Sequence, residues 1–341
     1  MILAGDIGGT KSLLALYRGK AKAPAFERRY ASADFPDVES LLARFLDESR
    51  AALRARPRIG AACLGVAGPV VGERVQVTNL PWIVEAAGLG RRFAIGRVRL
   101  LNDFAAAAWG VDLLEPADLV MLQPGEPRAG APRVVIGAGT GLGIAYIMPG
   151  RNGARPIAGE GGHGAFAPSG EEQVALWRHL HRRSGRVTLE DVVSGPGLVR
   201  VYDWLRQRGG SGGSAGRGAL RTAEPAAEIT RLAIERADPL ACAALDCFIA
   251  CYGAAAGDHA LNIMARGGVL IAGGIAPRIL PRLRAGGFLA AFNDKGAYSA
   301  HVRRMPVGVV VNDRMGLMGA AAVARGAGRR IIPVRRGRRR D

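Results

Sequence analysis

Leu3-Ala4-Gly5-Asp6-Ile7-Gly8-Gly9-Thr10-Lys11-Ser12 is an apolar run that breaks into a glycine turn carrying a threonine. The design recurs at Val134-Val135-Ile136-Gly137-Ala138-Gly139-Thr140-Gly141-Leu142-Gly143. A glycine turn lets backbone N–H groups approach an anion with no Cβ in the way. Each turn is followed by the apolar residues of a second strand. Two such turns predict two duplicated half-folds, two lobes gripping the phosphates of one nucleotide. The chain has no G-x-x-x-x-G-K-[ST] run, which argues against a P-loop. The second turn lacks G-x-G-x-x-G spacing and joins strand to strand, which disfavours a dinucleotide fold. Asp6 lies beside the first turn, and a carboxylate there suits a hydrated Mg²⁺ sharing phosphate oxygens.

The 341 residues exceed the size at which one core stops growing, so two lobes are expected. Hydrophobic residues at 49% and charged residues at 22% are those of a globular soluble protein. No run approaches the about 18 uninterrupted apolar residues of a membrane span. The N-terminus lacks the basic stretch of a signal peptide, so a cytoplasmic location is expected. The four cysteines include no C-x-x-C pair. Cys63, Cys242, Cys247 and Cys251 therefore read as small buried apolar residues rather than a metal or redox cluster. The net charge of +18 raises a nucleic-acid reading. The basic residues, however, spread along the whole chain and cluster only at Arg329–Arg340, a tail that reads as a disordered, solvated extension. Nucleic acid is then met only non-specifically, through that tail.

Residues 1–110 read as an α/β lobe: strands at Ile2–Ile7, Ser12–Tyr17, Ala25–Ala31, Ile59–Val66 and Val98–Leu101, with a helix over Pro36–Arg56. Residues 111–315 read as a larger α/β lobe. Its strands are Arg133–Ile136, Gly143–Met148, Gly268–Ala272 and Val307–Val311. Its helices are Glu171–Arg183, Pro196–Arg208 and the long apolar Leu240–Met264. Residues 209–218 read as a flexible Gly/Ser loop. A last small-residue helix, 316–328, is expected to complete the first lobe, and 329–341 to form the basic tail. The fold class is α/β, mixed sheets flanked by helices.

Four more segments carry polar residues where chemistry is done. Asn102-Asp103 stands between a short buried strand and a helix. Asp103 is an N-cap or a general base at a strand's carboxyl end, and the local sequence leaves both open. Glu160 and His163 lie in Gly159-Glu160-Gly161-Gly162-His163-Gly164, where four glycines argue for a loop on which both can contact hydroxyls. Thr188 and Asp191 fit a capping-box-like helix start, which makes Glu190, taken alone, a solvated helix residue. Ser194-Gly195-Pro196-Gly197 opens the next helix, whose N-terminus can take an anion. Gly273-Gly274 follows a buried strand, which permits close approach of a flat ring or tight strand–helix packing.

These segments, in this order, resemble the zinc-free bacterial glucokinase family of the hexokinase–actin-like superfamily. Thr78-Asn79-Leu80-Pro81-Trp82 and Ala290-Ala291-Phe292-Asn293-Asp294-Lys295-Gly296 add to the match, which runs over nearly the whole chain. The resemblance implies a two-lobed actin-like ATPase (ribonuclease H-like) fold with a cleft between the lobes. It implies ATP-dependent phosphorylation of D-glucose at O6, the entry to glycolysis. Asp103 is implied as the base on the sugar 6-hydroxyl. Asn102, Glu160, His163 and Glu190 are implied as sugar ligands, with Asn79 helping to close the sugar site. Gly5, Gly8, Gly9, Thr10, Gly137, Gly139, Thr140, Gly141, Ser194 and Gly195 are implied in holding ATP, Asp6 is placed near Mg²⁺, and Gly273 and Gly274 form part of the adenine wall. A homodimer is implied as well.

A related repressor and kinase family follows the Glu-Gly-Gly-His element with a cysteine-rich zinc motif. This chain has no cysteine between Cys63 and Cys242, so no structural zinc is expected. Lys11 stands where zinc-free members carry asparagine, and the Gly/Ser loop and arginine tail are additions. Competing readings are a kinase of another hexose or an N-acetyl amino sugar, and a sugar-sensing regulator. Polyphosphate in place of ATP is a further open choice of donor.

Overall fold

A computed structural model describes residues 1–151, 153–209 and 218–326. Most of the expected Gly/Ser loop, and all of the expected arginine tail, lie outside the described residues. The chain divides into two compact units. One comprises Met1–Gly110, Gly150–Arg155 and the segment from Gly316; the other comprises Val111–Pro149 and Pro156–Met315.

The first unit holds β1 (Ile2–Ile7), β2 (Lys11–Tyr17), β3 (Phe26–Ala31), β4 (Ala61–Val66), β5 (Val70–Val71), β6 (Arg74–Gln76), β7 (Ile83–Glu85) and β8 (Val98–Asn102). Its main sheet has the order β3-β2-β1-β4-β8, with β1 antiparallel to β2 and parallel to β4. Alternation along β1 sets the two faces. Leu3 and Ile7 pack with Leu14, Leu16 and the apolar stripe Val38, Leu41, Leu42 and Phe45 of α1 (Val38–Leu53). Ala4, Ala15 and Cys63 point the other way, against Leu317, Ala320, Ala321 and Ala324 of a small-residue helix, Met315–Arg325. The helix expected over Pro36–Arg56 is shorter at both ends. Asp37 caps it by accepting the Ser40 N–H at 2.6 Å, and Arg54 turns left-handed at φ 49°. The small sheet β5-β6-β7 has strands too short for a period-2 pattern to register. Two further helices complete this part of the chain, α2 (Ala86–Phe93) and α3 (Asp103–Gly110). A Cβ at Gly65 of β4 would lie 2.7 Å from that of Ala106, so α3 sits hard on the strand.

The second unit repeats the plan. β9 (Leu119–Gln123), β10 (Arg133–Ala138), β11 (Leu142–Met148), β12 (Arg155–Gly159), β13 (Gly268–Ala272) and β14 (Val307–Val310) order as β12-β11-β10-β13-β14-β9. β10 is antiparallel to β11 and parallel to β13, as β1 is to β2 and β4. The first five strands match the first sheet position for position, and β9 adds an antiparallel edge. This is the duplicated half-fold that the paired glycine turns predict. Helices α4 (Gly170–Ser184), α5 (Gly195–Gln207), α6 (Pro225–Glu235) and α7 (Pro239–Asn262) follow. α7 is long and apolar enough, by length and composition, to cross a membrane, although Asp246 and Asp258 interrupt its apolar run. Its apolar residues point all round, and 72% of its most apolar window is buried inside the unit, against α5, α6 and Gly287–Asn293. It is a core helix.

Candidate active site

In the first unit the turn after β1 is closed by the Gly8 N–H donating to the Lys11 carbonyl at 3.1 Å. Asp6, half-buried at the end of β1, faces Gly316: a Cβ there would lie 2.9 Å from Asp6 Oδ2. A Cβ at Gly9 would lie 3.0 Å from the Thr78 carbonyl, which brings the first turn beside Asn79. Asn79 is exposed and left-handed at φ 65°. The N-cap role considered for Asp103 falls to its neighbour. Asn102 Oδ1 accepts from the Phe104 N–H at 3.0 Å and the Ala105 N–H at 3.1 Å. Its Nδ2 donates to the Gly68 carbonyl at 3.3 Å, using one of two amide hydrogens. Asp103 is thereby the first residue of α3, half-buried, its Oδ1 accepting from the Phe104 N–H at 2.9 Å.

In the second unit four segments converge on the second turn. Glu190 does not lie on a helix. The Thr188–Asp191 box forms, with the Thr188 N–H and hydroxyl donating to Asp191 Oδ2 at 2.9 and 2.8 Å, but it closes an isolated turn. The next helix starts at Gly195, so Glu190 is half-buried and turned inward, and Oε2 accepts the Leu142 N–H at 2.8 Å. A Cβ at Gly141 would lie 2.5 Å from that oxygen, so only glycine admits the carboxylate there. The Glu190 N–H donates to the Gly162 carbonyl at 2.9 Å, which ties Glu190 to the Glu160–His163 loop. That loop is one 3₁₀ turn, Gly161–His163, with Glu160 and His163 exposed.

Ser194 and Gly195 are committed within the protein. The Ser194 hydroxyl donates to the Glu190 carbonyl at 2.7 Å and accepts from the Gly197 N–H at 3.0 Å, while the Gly195 N–H donates to the Gly139 carbonyl at 2.8 Å. They seat the turn instead of offering these groups to an anion. A Cβ at Gly139 or Gly274 would meet no protein atom within 4 Å, so both border open space. Gly273 is left-handed at φ 83°, and a Cβ there would lie 2.5 Å from the Ala138 carbonyl oxygen. Gly137, buried at the end of β10, and Gly5, wedged between Leu14 and Leu64, allow close strand packing.

A family model described as Glucokinase matches residues 3–327. The chain belongs to the glucokinase family. It is 38% identical to the glucokinase of Synechocystis sp. over 94% of this chain and 97% of that one. It also resembles a crystal structure of a glucokinase from an Antarctic psychrotroph, with TM-score 0.78 and 31% identity over 95% of this chain and 98% of that chain. A glucokinase from Balamuthia mandrillaris, solved in complex with glucose, matches with TM-score 0.80 and 25% identity over 95% and 93% of the two chains. The glucokinase fold is thus the actin-like ATPase fold expected from the sequence.

Around these family motifs lie residues that local sequence does not disclose. Tyr252 of α7 is fully buried, and its hydroxyl reaches the end of β10, accepting from the Ala138 N–H at 3.1 Å and donating to the Ile136 carbonyl at 3.3 Å. Burial pushes its phenol well above the ordinary value, so it stays protonated. Tyr252→Phe removes both hydrogen bonds from the buried end of β10 and is expected to cost about 1–3 kcal/mol of stability. A urea denaturation midpoint equal to that of the parent protein would remove this role. The cysteines are free; burial pushes the Cys63 thiol up to about 12, and Cys251 is raised by its neighbour Cys247 and by burial. Such thiols are packing groups. Among the described residues no three His, Cys, Asp or Glu side chains gather as a metal cluster.

Proposed function

We infer that this member of the glucokinase family transfers the γ-phosphoryl group of ATP to O6 of D-glucose. Asp103 accepts the proton of the 6-hydroxyl as O6 attacks, the role general-base catalysis asks of a carboxylate within hydrogen-bond reach. The observation that carries the assignment is its placement. Asp103 opens α3 at the carboxyl end of β8, and Asn102, pinned beside it, keeps a free amide hydrogen for a sugar hydroxyl. Glu160, His163 and Glu190 ligate the remaining hydroxyls, and Asn79 borders the same sugar.

The turns at Gly8-Gly9-Thr10 and Gly139-Thr140-Gly141 hold the phosphates through amides and threonine hydroxyls, and Gly273-Gly274 borders the adenine. Asp6 fits a Mg²⁺ held through water. It is a single carboxylate at the phosphate turn with glycine opposite it, and Mg²⁺ usually takes one or two carboxylates besides phosphate oxygens. When bound, the ion supplies positive charge to the transferring phosphoryl oxygens. A homodimer and a cytoplasmic location complete the proposal, and light scattering of the purified protein tests the first.

The deciding experiment is a coupled assay with glucose, ATP and Mg²⁺. Glucose-dependent ADP formation is expected, with mannose and N-acetylglucosamine turned over more slowly. Its absence, with turnover of another hexose, would reassign the acceptor. Polyphosphate supporting faster turnover than ATP would reassign the donor.

A further inference from the structure

Glu160 sits between two glycines, and each glycine lies against an aromatic ring from elsewhere in the second unit. A Cβ at Gly159 would lie 3.3 Å from Tyr146 Cε2 of β11. A Cβ at Gly161 would lie 2.7 Å from His259 Cε1 and 3.2 Å from Nε2, on α7. The two rings are joined, Tyr146 hydroxyl to His259 Nδ1 at 2.7 Å. His259 is 8% exposed in a helix whose neighbours are almost all apolar. A buried imidazole is costly unless its polar atoms are used. Here Nδ1 is used on a residue of the strand that leads out of the second glycine turn.

We propose that Tyr146 and His259 form a hydrogen-bonded ring pair that positions Glu160 for the sugar, a positioning role that rests on the glucokinase reading given above. The rings fill the space beneath Gly159 and Gly161, so the backbone on both sides of Glu160 has one seat. The bond between them fixes the ring planes, and with them the height of that seat. Burial holds the imidazole below its ordinary value, although Asp258 raises it, so the neutral ring suits the pair. A residue that acts through another in this way moves substrate binding before it moves chemistry.

The test uses Tyr146→Phe, His259→Phe and His259→Asn in the full chain. Tyr146→Phe and His259→Phe keep a ring and lose the bond; His259→Asn keeps an amide near Nδ1. Both phenylalanine variants are expected to raise KM for glucose by about three- to tenfold, the worth of one hydrogen bond. The KM for ATP and kcat should stay near the parent values. His259→Asn should recover part of the loss. Amide exchange of the peptide covering 159–164, measured without substrate, should quicken in both phenylalanine variants, while that of the β1–β2 hairpin is unchanged. Parent values of KM and of exchange in Tyr146→Phe overturn the proposal, as does equal loss of kcat and of KM for both substrates. If a histidine variant does not fold, Tyr146→Phe decides alone. A parent protein with no glucose-dependent ADP formation, but with the exchange change intact, would sink the activity and leave the positioning of the loop standing.

Discussion

Asp103→Asn is expected to lower kcat for glucose phosphorylation by about 10²–10⁴-fold, the usual worth of a positioned general base. The substitution is isosteric. Its side-chain oxygen can still accept from the Phe104 N–H, as Asp103 Oδ1 does at 2.9 Å. Asn102 continues to cap α3 through the Phe104 and Ala105 amides, so the start of the helix stays in place. What the variant lacks is a site for the 6-hydroxyl proton. Glucose binding, followed by calorimetry, should therefore persist while turnover collapses. Turnover within a small factor of the parent enzyme would exclude Asp103 as the base.

Gly319→Ala is expected to destabilise the protein by about 3 kcal/mol or more, the upper range for overpacking. Helix propensity alone predicts the opposite sign, since alanine in a helix interior is favoured over glycine by about 1 kcal/mol. The contact decides. Gly319 lies in the helix Met315–Arg325, and a Cβ there would overlap the Ala106 carbonyl oxygen and lie 2.7 Å from the Gly110 N. Both partners are backbone atoms of α3, which have no rotamer by which to move aside. The helix must retreat from α3, and with it the packing of Leu317, Ala320 and Ala321 on the first sheet. A thermal or urea midpoint equal to or above that of the parent protein would show that Gly319 does not hold the two helices backbone to backbone.

The half-folds were legible because their signals are local. A glycine turn between two apolar runs is a hairpin by itself, and β1–β2 and β10–β11 both follow it. Residues whose place depends on distant contacts were not legible. Glu190 reads as a solvated helix residue from its neighbours, yet the Leu142 N–H and the missing side chain at Gly141 decide where it goes. The capping box around it is real, but no helix follows, because Ser194 supplies a better cap a few residues later. Asp103 reads as a cap or a base from its type alone, and the cap turns out to be its neighbour Asn102, a residue type that serves equally well. Tyr252 and His259 stand seven apart in a mostly apolar helix that also carries Asp246, Asp258 and Asn262, so their type alone does not single them out. Their partners lie in β10 and β11, more than a hundred residues away, which no local pattern encodes.

The first unit is assembled from chain segments made far apart in time. β1, β2, β4 and α3 leave the ribosome early, but the helix that covers Ala4, Ala15 and Cys63 is encoded after the entire second unit. At ordinary elongation rates the interval is on the order of tens of seconds. Throughout it the apolar face of the first sheet, and the backbone of α3 that Gly319 will meet, stand uncovered. The second unit can fold as soon as its own residues emerge, because its sheet and helices are nearly contiguous in the chain. The first unit's sheet is thus complete only when residues 315–325 cover it, a step that follows the last strand of the second unit, Val307–Val310. Asp103, at the head of α3, draws part of its support from a helix that lies in the chain beyond the whole second unit.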